Sequence, residues 1–514
     1  MLLAIVLSIV ILVTFQYFFA NTTPPVTTVD TVKDLPGDKG GEKGKDANIE
    51  TRPQPNPTIA VSDRTESSGI EREIRVENDL CTLVFSTRGG TVKSAAFKKY
   101  KDKAGNLIVL KGDEVLPPLA IGLDEGFQLS RANFSVRGGD LKLGPDLKTG
   151  SLVFEYSSGD YSVRRTYTFN STDYGFNLRD EVAGPNAFWI TLGKDFGIYE
   201  KDDSVHFGPV ILRDAERMEF AGTKLKEPKN VKEGFKWIAQ EDKYFFSSIV
   251  PKTKIEDSKV WSKNDNTLAA LKMPGGVNEY YVYIGPKEYD NLKKLGLGLE
   301  HIVDFGFFSI IAMPLFWVLK LFYTISNNYG VAIIILTTVV RIPFIPLINK
   351  SQQSMKKMQD IQPRMAEVKE KYKNDPQRMQ KETMELYKKH KVNPLGGCLP
   401  MVLQIPVFFA LYKVLLIAIE LRDAPFMFWI HDLSVKDPYY VLPVIMGVTM
   451  VIQQKMTPST MEPMQQKIMM LMPVVFTFMF LSFPSGLVVY WLVNNVLSIA
   501  QQFYVNSKLT KQPA

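Results

Sequence analysis

Arg341 is a charged residue inside an apolar stretch of the sequence that runs from Tyr329 to Lys350. In hydrocarbon a guanidinium costs roughly 3 kcal/mol or more unless water or a carboxylate meets it. If the helix continues past Pro343, Arg341 lies about 13 Å from Lys350 along the axis, which is too far for its side chain to reach water comfortably. We therefore predict that Arg341 faces a wet cavity within a membrane. The alternative is that the helix ends near Pro343 and Arg341 anchors it at the membrane surface.

Polar side chains in other apolar stretches could line the same cavity. Thr337 lies one turn before Arg341, and Gln404 lies in a separate stretch. The last stretch presents four residues at steps of four, three and four, namely Trp491, Asn495, Ser498 and Gln502. Polar stripes of this kind also hold helices together through hydrogen bonds, which is the alternative interpretation. These stretches contain no obvious acidic partner for Arg341, so an acidic segment of another polypeptide is a candidate partner.

Residue patterns for catalysis or metal binding are missing from the sequence. The four histidines are scattered, without cysteine or carboxylate at metal-ligand spacing, at His206, His301, His390 and His431. Two Gly-Lys pairs, at Gly44 and Gly193, lack the upstream glycine of a phosphate-binding loop, and no G-x-S-x-G elbow occurs. We therefore predict a protein that is not an enzyme and that uses no cofactor or metal.

Six apolar windows approach the roughly 20 residues that a helix needs to cross a bilayer. They cover residues 2–19, 329–349, 398–419, 437–456, 468–483 and 485–507. We therefore predict a membrane α-helical bundle of six spans, five of which form a core over residues 327–507. A further apolar segment within residues 296–326 contains Asp304, Pro314 and Lys320, so we predict an amphipathic helix on the membrane surface there.

The charges of the loops predict how the chain crosses the membrane. Between Lys350 and Lys391 twelve Lys and Arg residues face six Asp and Glu, and basic loops of this kind stay in the cytoplasm. Counting spans from that loop places both termini, including the tail 508–514, in the cytoplasm and the large polar region in the periplasm. The basic loops also explain the net charge of +7 without a nucleic-acid partner. Residues 1–20 then form an anchor; a cleaved signal peptide is the alternative.

The polar region outside the membrane divides into a linker and a β domain. Residues 21–58 contain few large apolar groups and are predicted to be flexible. Over residues 59–295 short β-prone runs recur between turn signals, which predicts an all-β sandwich. These runs are Cys81–Ser86, Leu152–Tyr156, Tyr161–Phe169, Lys243–Val250 and Glu279–Ile284. The second cysteine, Cys398, begins a span, so no disulfide with Cys81 is expected.

The basic loop has the pattern of a helical hairpin over residues 351–392. Met358 and Met365 belong to an apolar seam with steps of three and four, and Met379 lies on the apolar side of a second helix. The turn Asn374-Asp375-Pro376 separates the two helices. We predict that this hairpin projects from the membrane into the cytoplasm.

Four sequence blocks resemble the signatures of the YidC membrane-protein insertases. They occur in order and are Asn393-Pro-Leu-Gly-Gly-Cys398, Phe428-Trp-Ile-His-Asp-Leu433 followed by Asp437-Pro-Tyr-Tyr440, Met464-Gln-Gln-Lys-Ile-Met469, and Phe483-Pro-Ser-Gly486. The region before the core resembles, more loosely, the β-supersandwich of the Gram-negative branch. That domain is similar to carbohydrate-binding folds.

The resemblance implies a protein that inserts membrane proteins and helps them fold, alone or with the Sec translocon. Arg341 matches the arginine of the family's hydrophilic groove, which is open to the cytosol and to lipid. Gln404 matches a polar position of the third span, and Thr337 and Trp491 match positions near the client helix.

Partners are likewise implied by the resemblance. The cytoplasmic hairpin, with Met358, Met365 and Met379, would recruit nascent membrane proteins, and ribosomes would deliver them. Small proteins such as ATP synthase subunit c would be typical clients. Lys413 departs from the family pattern, which usually has an uncharged residue there, and we expect Lys413 to reach outward toward Glu420.

Two other functions stay open on the residues alone. An intramembrane arginine with polar stripes also suits a channel or transporter for anions, although no inverted repeat is present. The β-sandwich also suits a membrane-tethered sugar-binding protein or enzyme of the periplasm. Passage of ions without a client would indicate the first, and loss of function on removal of the β domain would indicate the second.

Overall fold

The computed structural model describes residues 65–66, 71–199, 205–221, 225–263, 266–390, 399–457 and 463–510. The predicted anchor (1–20), the predicted linker (21–58), the block Asn393–Cys398 and residues 511–514 lie outside these described residues. Within the described ranges the chain forms a β domain up to Pro286 and a helical part from Tyr289 onward.

Strands follow one another at short intervals in the β domain, as the recurring turn signals predict. In the described ranges they are β1 (Thr65–Glu66), β2 (Glu73–Glu77), β3 (Cys81–Ser86), β4 (Thr91–Lys101), β5 (Leu107–Lys111), β6 (Ile121–Gly122), β7 (Ser135–Arg137), β8 (Leu141–Lys142), β9 (Thr149–Ser158), β10 (Tyr161–Asn170), β11 (Gly175–Thr191), β12 (Gly208–Arg213), β13 (Glu216–Glu219), β14 (Lys229–Asn230), β15 (Phe235–Glu241), β16 (Phe245–Pro251), β17 (Asp257–Lys263) and β18 (Asn266–Pro286).

These strands form two sheets that share one core. The larger sheet has the order β1-β7-β9-β10-β11-β18-β16-β15-β12-β13, with β6, β14 and β17 beside this path, and the smaller has the order β5-β4-β3-β2-β8. Along β10 buried and more exposed residues alternate, because successive side chains point to opposite faces. Tyr167 and Phe169 of β10 pack on Phe85 of β3, with ring centroids 4.9 and 5.5 Å apart. The predicted β-sandwich is therefore confirmed.

A buried ion pair lies in this core. Arg165 on β10 and Asp180 on β11 have no exposed side-chain surface, and Arg165 Nε lies 2.9 Å from Asp180 Oδ1. Arg165 Nη1 also donates to the carbonyl oxygens of Leu119, at 2.6 Å, and Gly90, at 3.2 Å. Buried charges persist only where they are paired and hydrogen-bonded, so these contacts hold two strands and two loops in one arrangement.

Cys81 provides a chemical probe of this domain. Its side chain is 1% exposed on β3, and burial raises the pKa of the Cys81 thiol to about 12. Because the thiolate is the reactive form, we expect folded protein carrying Cys398→Ser to react with iodoacetamide at pH 8 at least about a hundredfold more slowly than the same chain unfolded in urea. Mass spectrometry of the alkylated protein measures this ratio. Similar rates in both states would show that the domain opens readily.

The helical part contains ten α-helices in the described ranges. They are α1 (Tyr289–Lys294), α2 (Ser309–Ser326), α3 (Tyr329–Arg341), α4 (Ile345–Asp360), α5 (Gln362–Lys371), α6 (Pro376–Lys389), α7 (Leu399–Ile417), α8 (Val441–Met456), α9 (Pro463–Phe480) and α10 (Ser485–Thr510). Helix α10 packs along α3 and α8, α2 packs on α3 and α7, and α9 packs on α8. Helices α7 and α10 contact each other through Phe408 and Trp491, with ring centroids 5.0 Å apart.

The helix that contains Arg341 does not end at Pro343. A 3-10 turn, Ile342–Phe344, follows α3 directly and leads into α4. Pro343 has no N–H for the α-helical hydrogen bond, and the tighter turn accommodates that loss. Arg341 is therefore the last residue of α3 and lies within a helical segment that continues to Asp360, and its position relative to the membrane surface stays a prediction.

Two helical segments of the described chain are long and apolar enough to cross a bilayer, Ser309–Ser326 and Tyr329–Asp360. The first is α2, for which the sequence predicts a position on the membrane surface. Shorter apolar segments follow at Gln404–Ile417, Val441–Met456 and Lys467–Phe480. The number of six spans, the sidedness of the loops and the surface position of α2 stay predictions.

Candidate functional site

The side chain of Arg341 bridges from α3 to α10. Arg341 Nη1 donates to the carbonyl oxygen of Asn494 at 3.0 Å, and Nη2 donates to Gln501 Oε1 at 3.1 Å. The guanidinium is half-buried, and both partners are neutral. In the part of the chain that the structure describes, no carboxylate forms an ion pair with Arg341. Its positive charge is thus held in place without being neutralised.

Gln501 connects this arginine to α4. Its amide nitrogen donates to Asn349 Oδ1 at 2.7 Å and to the carbonyl oxygen of Ile345 at 3.3 Å. Its Oε1 therefore remains available for the guanidinium. We call Arg341, Asn349, Asn494 and Gln501 the Arg341 cluster. It joins three helices through polar contacts between half-buried side chains.

Further polar groups extend the cluster along α10 toward α7. Ser498 Oγ donates to the carbonyl oxygen of Asn494 at 2.7 Å, the same oxygen that accepts from Arg341. One turn earlier, the buried Tyr490 accepts a hydrogen bond at its hydroxyl from the amide of Gln404 on α7. Tyr490, Asn494, Ser498 and Gln501 thus form a polar line on α10 that faces α3 and α7.

The predicted stripe on the last helix divides between two faces. Asn495 and Gln502 turn away from Arg341 toward α8 and are buried. Asn495 Nδ2 donates to Thr449 Oγ1 at 3.1 Å, and Gln502 Nε2 donates to the carbonyl oxygen of Met456 at 2.6 Å. Asn495 was predicted to face the cavity, and this was wrong. The alternative interpretation, a hydrogen bond between helices, describes both residues.

Thr337 and Trp491 also differ from the prediction of a polar lining. Thr337 is buried, and its hydroxyl donates to the carbonyl oxygen of Ile333 in its own helix at 2.6 Å. Trp491 packs its indole on aromatic rings, with centroids 5.0 Å from Phe408 and 5.2 Å from Phe480. Of the predicted residues, Arg341, Ser498 and Gln404 lie along the polar line, and Trp491 adds an apolar wall beside it.

Asn349, Tyr490, Asn494 and Gln501 belong to the site but were missed in the sequence. Three of them recur on α10 at helical spacing, as the predicted stripe does, with an offset of one residue. One residue turns a helix by about 100°. The signal was therefore present, but spacing alone could not show which of two adjacent stripes faces Arg341.

Lys413 contacts the β-domain side of the structure. Lys413 Nζ lies 3.6 Å from Asp304 Oδ2, whereas Glu420 pairs with Lys320 at 3.5 Å. The expected reach of Lys413 toward Glu420 is therefore wrong. Burial would raise the pKa of Asp304, but Arg217 and Lys413 outweigh it and hold that pKa below its ordinary value. The positive charge of Lys413 is thus paired with Asp304, close to Arg217 of the β domain.

The predicted hairpin comprises the last part of α4, which contains Met358, together with α5 and α6. Asp375 accepts a hydrogen bond from the Arg378 N–H at 3.0 Å and caps α6, with Pro376 in its first turn. Met358 and Met365 are buried, and Tyr387 Oη donates to Met365 Sδ at 3.0 Å. These two methionines pack the hairpin, whereas Met379 is half-buried and Met384 is 50% exposed.

Known proteins of one family match nearly the whole length of the chain. The family described as "60Kd inner membrane protein" matches residues 321–512, and the "YidC periplasmic domain" matches residues 73–318. The "Membrane protein insertase YidC" of Syntrophus aciditrophicus is 42% identical and aligns over 99% of each chain. The chain belongs to the YidC family of membrane protein insertases.

Other YidC proteins are similarly close over their full length. The YidC of Geotalea daltonii is 41% identical over 99% of this chain and 98% of its own. A crystal structure described as an active YidC insertase with its first transmembrane domain resolved aligns over 87% of this chain and 94% of its own, with 19% identity and a TM-score of 0.41. Members of the YidC family are named as insertases and not as catalytic enzymes, which confirms the non-enzymatic prediction.

Proposed function

We propose that this protein inserts hydrophobic segments of nascent membrane proteins into the inner membrane and assists their folding. The main support is the half-buried guanidinium of Arg341, whose hydrogen-bond partners among the described residues, Asn494 and Gln501, are neutral. A charge without a counter-charge inside a membrane raises the free energy of the protein, so charged residues in membrane helices usually serve a function. The partner that best fits is an acidic residue near the end of a client segment.

The polar line on α10 would lower the free energy needed to move a client's hydrophilic tail across the membrane. Water beside Gln404, Asn494 and Gln501 would replace hydrocarbon along part of the path, and each side chain can donate or accept a hydrogen bond. The client's apolar segment would then move sideways along α7 and α10 into lipid. Burial of its apolar surface would drive this step, and no nucleotide is required.

The topology and remaining partners are part of the same proposal. Residues 1–20 would anchor the chain, residues 21–58 would tether the β domain in the periplasm, and six spans would leave both termini in the cytoplasm. The hairpin over residues 351–392 would receive clients from ribosomes, and the Sec translocon would cooperate for some of them. Exposed Met384 offers apolar surface for this contact, and the buried Met358 and Met365 would keep the two hairpin helices together.

Insertion by the purified protein tests the proposal directly. Liposomes with the full chain and empty liposomes receive a client with a single apolar segment, and protease protection of that segment measures insertion. We expect protection to depend on the protein and to need no nucleotide. Anion flux through the same liposomes without a client is measured in parallel. Flux in the absence of protected client would support a channel and contradict insertion.

A further inference from the structure

The segment between α7 and α8 is a rigid surface on the bundle. In residues 422–440 the Leu433 N–H donates to the Ala424 carbonyl at 3.1 Å, and the Phe426 N–H donates to the Ile430 carbonyl at 3.0 Å. Asn328 Nδ2, at the start of α3, donates to the Phe426 carbonyl at 2.9 Å. These bonds close the segment on itself and fix it to the helix ends.

Asp437 brings two parts of this segment together. Its Oδ1 accepts from Trp429 Nε1 and from the Tyr439 N–H, each at 3.0 Å, and its Oδ2 accepts from the Leu442 N–H at 2.7 Å. The carboxylate is 1% exposed. It therefore joins the strip around Phe428 and Trp429 to the strip around Tyr439 and the start of α8.

Large apolar side chains project outward from this rigid segment. Phe428 is 80% exposed, Tyr439 69%, Met427 44% and Tyr440 40%. Phe428 and Tyr440 adopt positive φ angles of 54° and 58°. Such a conformation is strained for a bulky L-residue, and it persists only where the surrounding bonds enforce it. We call Met427, Phe428, Tyr439 and Tyr440 the aromatic rim.

The surroundings of the aromatic rim favour lipid as its occupant. Helix α8 begins directly after Tyr440, and its first turns expose Val444 (53%), Ile445 (42%) and Val448 (54%), so an apolar surface continues from the rim along the helix. Exposed Lys436 places its Nζ 5.9 Å from the centre of the Tyr440 ring. Aromatic rings with a neighbouring basic group are typical of the headgroup region of a bilayer.

We infer that the aromatic rim inserts into the headgroup region of the leaflet next to the β domain and sets the depth of α8. Arg422 Nη2 donates to the Lys101 carbonyl of β4 at 2.9 Å, which places this segment at the end of the bundle that faces the β domain. Residues 422–440 would therefore lie on the lipid rather than project into water. This position requires α8 to cross the bilayer, but it does not require the Arg341 cluster to bind clients.

Depth-dependent fluorescence quenching tests this position. In full-length Cys398→Ser protein, where Cys81 is buried, Phe428→Cys and, separately, Tyr439→Cys are labelled with the fluorophore NBD and reconstituted into phosphatidylcholine and phosphatidylglycerol vesicles. Spin labels are placed on the lipid headgroup or deep in the acyl chain. The control is Val277→Cys, which is 50% exposed and about 30 Å along β18 from Pro286.

We expect headgroup spin labels to quench NBD at positions 428 and 439, deep labels to quench it less, and neither to quench it at position 277. Water-like emission without quenching at 428 and 439 would overturn the inference. Blue-shifted emission that depends on protein density and not on spin-labelled lipid would also overturn it, because a second copy would then cover the rim. The readout needs no client, so a failure of client insertion leaves this result unaffected.

Discussion

Replacing Arg341 by alanine should reduce insertion of a client with an acidic tail by about tenfold and leave a client with a neutral tail nearly unchanged. Two opposite charges 4 Å apart interact by about 4 kcal/mol in a site of intermediate polarity, and about 1.4 kcal/mol corresponds to a factor of ten. Water beside the half-buried guanidinium would screen part of this interaction, so we expect a loss of about tenfold rather than more. The two clients differ only in the charge of the tail and are compared by protease protection in liposomes.

Two matched variants separate charge from packing at this site. Arg341→Lys keeps the charge but loses the fork that reaches Asn494 and Gln501 together, so we expect it to retain most of the preference for the acidic client. Thr338→Ala removes an exposed hydroxyl from the same helix, outside the cluster, and should change neither client. Equal losses for both clients in Arg341→Ala would indicate a packing role, and no loss for either would leave Arg341 as a structural residue without a role in capture.

Replacing Asp180 by asparagine should lower the free energy of unfolding of the β domain by about 3–5 kcal/mol. The substitution leaves the guanidinium of Arg165 buried without a counter-charge, and breaking a buried pair in this way costs about that much. Asparagine has nearly the same shape as aspartate, so a cavity does not account for the loss. Urea unfolding of the full chain in detergent, followed by alkylation of Cys81 in the Cys398→Ser background, measures the change.

The neighbouring residue on β10 supplies the control. Arg164 pairs with Glu155 at 2.7 Å, but its side chain is 52% exposed. Exposed ion pairs contribute about 0–1 kcal/mol, so Arg164→Met should change stability by less than about 1 kcal/mol. If Asp180→Asn and Arg164→Met had the same small effect, water would have to reach the Arg165 pair in the folded domain.

Local periodicity was sufficient to predict much of this protein. A β-prone run bounded by turn residues identified β3 over Cys81–Ser86, steps of three and four identified the hairpin, and the apolar stretch around Arg341 identified a helix with a charge inside it. Each of these patterns depends on neighbours in the chain, because the period of a strand or helix is set by its own backbone. The family blocks added the insertase assignment, which the relatives confirm.

The direction of each side chain depended on contacts between distant segments. Packing of α10 between α3 and α8 turns the side chain of Gln501 toward Arg341 and the side chains of Asn495 and Gln502 toward α8, although Gln501 and Gln502 are neighbours in the sequence. The partner of Lys413 likewise became visible only when Asp304 was brought beside α7. A helical period defines which residues share a face, but the rotation of that face is chosen by the packing of the whole bundle.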